Sequence, residues 1–302
     1  MGKWHKLGWV WQPSGKRWWA RAYAHMPTPE LIDDRTIRVY FACLDDDKYG
    51  RPGWVDVDVR DPRKVLGEAD EPLLDLGAPG TFDDSGVVPS QFASVGGRRC
   101  LYYIGWQRCE RVPYKMFTGL AEPQGTGFQR ASAAPLIDRT NNEPFLRANP
   151  TVLIEGTRYR AWYVSATGWT TVGGKAYPHY VIRHTESPDG RYWSDGGPIC
   201  IQHNSQDEFG ISRPWVIRDG YRYRMWYAVR SRSAPYRIGY AESADGLSWQ
   251  RQDEKAGIER SDSGWDSEMV CFPAVIDAGG RRLMFYNGNR HGSSGFGVAV
   301  LE

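Results

Sequence analysis

The stretch RPWVIRDGYRYRMWYAV, residues 213–229, carries the architecture of this chain. It opens on Pro214, runs through Trp215, Val216 and Ile217, turns at Asp219-Gly220, and returns from Tyr223 to Val229 around an aromatic pair. β-Branched and aromatic residues on both sides of an Asp-Gly turn read as an antiparallel hairpin. Related stretches recur at intervals of about sixty residues: VVPSQFASVGGRRCLYYIGW from Val87, NPTVLIEGTRYRAWYVS from Asn149 and FPAVIDAGGRRLMFYNG from Phe272. A looser copy, MPTPELIDDRTIRVYFA, begins at Met26.

Two more runs, Arg237–Glu242 and Leu247–Gln250, follow the hairpin, with a second Asp-Gly turn at Asp245-Gly246 between them. Each repeat therefore supplies four strands. Four antiparallel strands repeated radially predict an all-β fold, a five-bladed β-propeller forming one domain over residues 1–302. The last copy stops at Gly297-Val-Ala-Val-Leu without its outer strand, while KWHKLGW at Lys3–Trp9 resembles LSWQR at Leu247–Arg251. The N-terminal strand is expected to complete the last blade and cover its open edge.

With 302 residues and 41% apolar content, the chain is ample for one sizeable core, and no Pro/Gly/Ser-rich linker divides it. A formal net charge of +2, with basic and acidic residues interleaved, gives no reason to expect nucleic acid or an anionic membrane as partner. Cys43, Cys100, Cys109, Cys200 and Cys271 are odd in number, lack metal-type spacing and sit beside or within strands, as reduced buried thiols do. MGKWHKLGWVW has no apolar run of signal-peptide length, so a cytoplasmic protein is the expectation. The oligomeric state is not legible. Fourteen Trp and seventeen Tyr suit the wide wedges between blades. Trp106, Trp169 and Trp215, near strand ends, are the candidates for stacking on sugar faces instead.

In a propeller the first strand of each blade lies nearest the axis, so the lead-ins YAHMPTP, FDDSGVVP, EPFLRANP, DEFGISRP and WDSEMVCFP should converge on one pocket. Asp84 and Glu268 both stand five residues before their prolines, Pro89 and Pro273. Two aligned acids from different blades are what acid–base cleavage of a glycosidic bond requires: one protonated for the leaving oxygen, the other ionised to activate water or attack. Glu208 would set their protonation. Glu208 and Glu143 are less well aligned, one or two positions further upstream, and Asp83 and Asp266 accompany the main pair. The alternative for all of them is turn closure by bonding to backbone N–H groups. Arg147, Asn149 and Arg213 precede or adjoin the inner prolines and are expected to bind sugar with Trp106, His179, His25, Asn287, Arg290 and Asp83. Arg147, Arg213 and Arg290 also offer a phosphate clamp, which keeps phosphorolysis open. His25, His179 and His291 show no ligand spacing, so no metal or other cofactor is expected. There is no Gly-x-Ser-x-Gly elbow, phosphate loop or dinucleotide fingerprint.

The segments TFDDSGVVPS, LYYIGW, ISRPWVI, YRMWYAVR, IGYAESADGLSW, GWDSEMVCFP and MFYNGN give the chain its family resemblance. It resembles the five-bladed propeller glycosidases of families 43, 32, 68, 117 and 130, and more particularly bacterial members associated with polysaccharide or sugar biosynthesis. The resemblance implies a funnel-shaped axial pocket holding acids, with a small soluble carbohydrate as substrate. Families 32 and 43 place an Asp next to proline at the opening of the first blade, where this chain has His25-Met26-Pro27. Family 32 has Arg-Asp-Pro in mid-ring, where this chain has Arg147-Ala148-Asn149-Pro150; its Glu-Cys-Pro element is echoed only by Glu268 and Cys271. An Asn neither attacks as a nucleophile nor takes a proton as a base. The expectation is a glycoside hydrolase-like enzyme, cleaving a glycosidic or glycosyl-phosphate bond, whose acids have moved to Asp84, Glu208 and Glu268. The alternative is a non-hydrolytic carbohydrate-binding or sugar-modifying propeller of a biosynthetic pathway.

Overall fold

The structure is a computed structural model describing residues 2–302. Strand β1 (Trp4–Trp11) lies apart from its sequence neighbours and joins the last group below. The first antiparallel group is β2 (Ala22–Leu31), β3 (Thr36–Leu44), β4 (Gly50–Asp58) and β5 (Val65–Glu68). The next is β6 (Gly86–Val95), β7 (Arg98–Arg108), β8 (Tyr114–Gln124) and β9 (Gly127–Arg130). It is followed by β10 (Arg147–Glu155), β11 (Arg158–Val172), β12 (Lys175–Ser187) and β13 (Ile199–Ile201). Then come β14 (Glu208–Asp219), β15 (Arg222–Ser231), β16 (Arg237–Ser243) and β17 (Gln250–Arg251). The last group is β18 (Cys271–Ala278), β19 (Arg281–Asn287) and β20 (Phe296–Leu301), to which β1 adds as the fourth strand, pairing Trp4 with Leu301 and Trp11 with Phe296.

The first four groups are joined in succession by single parallel bridges, such as Gly50 to Gly86 and Tyr180 to Gly210, and the last group forms a sheet of its own. The first strands of the groups make a cycle of contacts: β2 touches β6, β6 touches β10, β10 touches β14, β14 touches β18, and β18 returns to β2. The result is a β-propeller-like fold with those strands innermost. No helix among the described residues is long and apolar enough to cross a membrane.

The hairpins turn where the sequence predicts. Gly96 and Gly97 form the two-residue loop between β6 and β7 with φ of 57° and 75°, the left-handed pair that matches the twist of the flanking strands. Between groups the wedges fill with aromatics. Trp162, Met225 and Tyr227 are buried in one, and Trp4, Trp226 and Tyr240 in another, where Trp4 meets Trp226 edge to face at 5.9 Å. Gly239 is required by this packing, because a Cβ there would lie 2.3 Å from the Tyr227 ring. Cys43, Cys100 and Cys271 are buried free thiols, while Cys109 and Cys200 are half-buried.

At the axis each inner strand carries a register shift around its proline. In four of them the residue before proline is left-handed: Met26, Asn149, Arg213 and Phe272 have φ between 52° and 58°. That conformation is unfavourable for a non-glycine residue and doubly so before proline, so it persists only where packing over-determines it. Its effect is to turn the side chain out of the alternation of the strand.

Candidate functional site

These bulges surround a cavity of about 640 Å³. Met26, Val88, Asn149, Ser212 and Phe272 come to it from the inner strands. The ends of the second strands add Leu44, Trp106 and Arg230, and Tyr114, Tyr177, Tyr180, Phe209 and Tyr236 form an aromatic wall. His25 and His291 complete the polar lining. Among the described residues the lining holds no aspartate or glutamate.

The polar groups are held in place. His25 bonds through Nδ1 to the His291 carbonyl at 2.9 Å and packs edge-on against Phe272. Burial lowers its pKa to about 4 against the opposing hydrogen bond to the His291 carbonyl, with the Arg213 charge adding to the depression. Burial likewise holds His291 at about 4, helped by the charges of His25 and Arg230. Both imidazoles are therefore neutral at neutral pH. The hydroxyls of Tyr114 and Tyr180 lie 2.8 Å apart, and burial raises the Tyr180 phenol well above its ordinary value. The Asn149 carbonyl oxygen accepts from Ser90 Oγ at 3.1 Å and from Arg213 Nη1 at 3.2 Å, which fixes the amide orientation.

Of the residues expected to bind sugar, His25, Asn149 and Trp106 line this cavity. The others do not. Arg213 is fully buried and donates to the carbonyls of Ser90 and Pro27, to Asn149 Oδ1 and to Thr28 Oγ1, so it staples inner strands together. Arg147 pairs with Glu143 at 3.3 Å and donates to the carbonyls of Asp138 and Ser194. Asn287 is buried, accepting from the Met26 N–H at 2.8 Å and donating to the carbonyls of Ala24 and Gly295. Arg290 is exposed, so the three arginines form no phosphate clamp. His179 lies in a separate open groove with His203, Gln206, Glu208 and Arg232. Trp215 is a wedge residue whose indole donates to the Val275 carbonyl, and Trp169 packs edge-on against Tyr114. Among the described residues, no three of His, Cys, Asp and Glu are grouped to hold a metal.

The acids expected to face one another across the axis are placed otherwise. Asp84 is half-buried and caps its own loop, accepting from the Gly80 N–H, Ser85 Oγ and Gln107 Nε2. Glu268 is exposed beside Met269, a lining residue, and its carboxylate takes no hydrogen bond or ion pair among the described residues. Glu208 is saturated by Arg251, Arg237 and the Asn204 N–H. Burial would raise its pKa, but these partners outweigh burial and hold the carboxylate below its ordinary value.

Asp83 and Asp266 explain why acids recur at this point of the repeat. Asp83 accepts from Tyr103 Oη at 2.9 Å and Arg130 Nε at 2.7 Å, joining the lead-in to the second and fourth strands of its group. Asp266 does the same with Tyr286 and Lys6 of β1. Glu143 takes Tyr163 and Arg147, and Glu208 takes Arg251 of β17. In the first group the charges are exchanged: Arg17 in the lead-in pairs with Glu68 of β5 at 2.8 Å. Asp83 and Asp266, the companions of the aligned pair, are clasps within their groups. Sequence reasoning missed Arg230 and the tyrosine wall. The available signal is positional: Leu44, Trp106 and Arg230 all lie within the last three residues of second strands, and Trp106 is among the pocket candidates read from the sequence.

The β-propeller-like fold is similar to that of solved structures described as glycoside hydrolases. One described as a glycoside hydrolase superposes with a TM-score of 0.76 at 17% identity, covering 99% of this chain and 92% of that one. A thermostable family-43 glycoside hydrolase gives 0.68 at 15%, covering 93% and 88%. The α-L-arabinofuranosidase PaAbf62A from Podospora anserina, solved with cellotriose, gives 0.68 at 12%, covering 100% and 97%. No family model matches the sequence. The chain belongs to the same family as two Mycobacterium tuberculosis proteins described as uncharacterized, Rv1502 of strain H37Rv and MT1551 of strain CDC 1551. Each is 40% identical to it over 300 residues, 99% of both chains.

Proposed function

We propose that this protein is a five-bladed propeller, closed by β1, that holds a carbohydrate in its axial cavity without cutting it by a carboxylate pair. The observation that carries this reading is the lining: aromatic faces, an oriented amide, hydroxyls and two neutral imidazoles, with no aspartate or glutamate among the described residues. Aromatic rings bearing a few placed polar groups suit the apolar faces and hydroxyl edges of a sugar. A role in sugar biosynthesis, which the family resemblance implies, accords with a cavity that retains a sugar intact.

Calorimetric titration with a panel of mono- and disaccharides tests it. Wild type should bind at least one, and Trp106→Ala should weaken that binding by about tenfold or more, the scale of a lost stacking surface. Absence of binding across the panel, or an unaffected Trp106→Ala, removes the cavity as the site. A hydrolytic reading is favoured by one observation, the unengaged carboxylate of Glu268 next to Met269. Aryl glycosides offered to wild type, Asp84→Asn and Glu268→Gln separate the two readings. Turnover by wild type that Glu268→Gln abolishes establishes hydrolysis.

A further inference from the structure

Most guanidinium groups in this molecule that are withdrawn from solvent have a carboxylate: Arg251 has Glu208, Arg147 has Glu143, and Arg160 has Glu155. Arg230 has none among the described residues, although it lines the axial cavity. Its Nε donates to the Tyr236 hydroxyl, and the rings of Tyr177, Tyr180, Phe209 and Tyr236 surround its guanidinium carbon at 5.1 to 5.4 Å. The cage fixes its direction and offsets part of the cost of burying the charge. Nη1 is buried with no hydrogen-bond partner among the described residues. Arginine stays protonated in proteins, so a full positive charge and an unused Nη1–Nη2 edge face a cavity without an acid.

The cage and the Tyr236 hydroxyl offset the desolvation of this cation only in part and leave Nη1 orphaned, and a ligand that supplies an anion completes the compensation. The two free amino groups present parallel donors matched to two oxygens of one carboxylate or phosphate. His25 and His291 are uncharged and leave Arg230 as the cation of the lining.

We propose, resting on the reading of the cavity as a sugar site, that the bound carbohydrate is anionic, with a uronate carboxylate or a phosphate ester held end-on by Nη1 and Nη2 of Arg230. Ser212 and the tyrosine hydroxyls then serve the neutral part of the sugar. The competing role for Arg230, a purely structural one, predicts that its replacement unfolds the protein; the anion role predicts that the ligand-free protein tolerates the loss of an uncompensated charge.

The test is titration of full-length protein with glucuronate, galacturonate and glucose 1-phosphate, each beside its neutral hexose and beside inorganic phosphate, with thermal unfolding of the same samples. Wild type should prefer at least one anionic sugar over its neutral counterpart by about a hundredfold, a preference that shrinks as salt is added. Arg230→Gln should abolish that preference while unfolding at or above the wild-type temperature without ligand. Arg230→Lys should retain part of it, having the charge without the fork. The inference is overturned if wild type binds neutral and anionic sugars equally, an outcome that leaves the cavity a sugar site. It is equally overturned if Arg230→Gln keeps the preference. Inorganic phosphate bound as tightly as any sugar, and released by Arg230→Gln, would keep Arg230 as an anion receptor and remove the carbohydrate reading. Binding of no probe removes both. Should Arg230→Gln fail to fold, the wild-type preference and its salt dependence decide.

Discussion

At Arg213, position in the sequence and role in the molecule part company. The residue stands beside an inner proline, where a ligand-binding guanidinium would be useful, yet its fork is consumed by four acceptors from three other inner strands or their bulges. Burial lowers its pKa to about 9. Replacing it with methionine strands those acceptors, so Arg213→Met should lose roughly 2–4 kcal/mol in urea denaturation; an unchanged midpoint would show the staple to be idle. The imidazoles give a second prediction. His25 and His291 are held near pKa 4, below the 6.5 of a free imidazole, so the unfolded chain binds more protons between those values. Their contribution to stability is complete above about pH 6.5 and is lost as pH falls toward 4. Urea midpoints across that window should decline with acidification, and His25→Asn and His291→Asn should each flatten the decline. Asparagine suits the second position, where φ is 62°. A flat wild-type profile would mean that the imidazoles are free to charge.

Between elements, the clasp of acid, tyrosine and base ties a lead-in to the second and fourth strands in two groups, through Asp83 and Asp266. Asp83 is fully buried, so Asp83→Asn should cost roughly 2–4 kcal/mol by stranding Arg130. Combined with Tyr103→Phe, the loss should be less than additive, because both changes break one network. Strict additivity in that double-mutant cycle would show that the three groups act separately. Lead-in carboxylates tied in this way mark shared structure, whereas a catalytic acid and base have different tasks and need not share a register.

For the molecule as a whole, β1 decides whether the last group ends in an open edge. It pairs along β20, seats Trp4 against Trp226, and carries Lys6 to buried Asp266. Deleting residues 2–11 should expose the β20 edge and convert a single cooperative thermal transition into a broad, aggregating one, read by circular dichroism with light scattering. A soluble truncated protein with the wild-type transition would show that the last group is self-sufficient. The cavity belongs to this scale too, since its wall draws on every group and no fragment should bind the ligand.

Repeat length, hairpin turns and apolar pattern are local properties, and they sufficed to place the four-stranded units, to assign the N-terminal strand to the last of them, and to mark His25, Trp106 and Asn149 as pocket residues. Which other side chains face the axis was settled only by tertiary packing. Left-handed backbone at Met26, Asn149, Arg213 and Phe272 breaks the alternation by which a strand's faces are read. Carboxylates in the lead-ins are drawn into clasps by partners up to 260 residues distant. The placement of Arg230, a charge that lines the cavity with no carboxylate beside it among the described residues, is a statement about all of its neighbours together, and no stretch of sequence contains them.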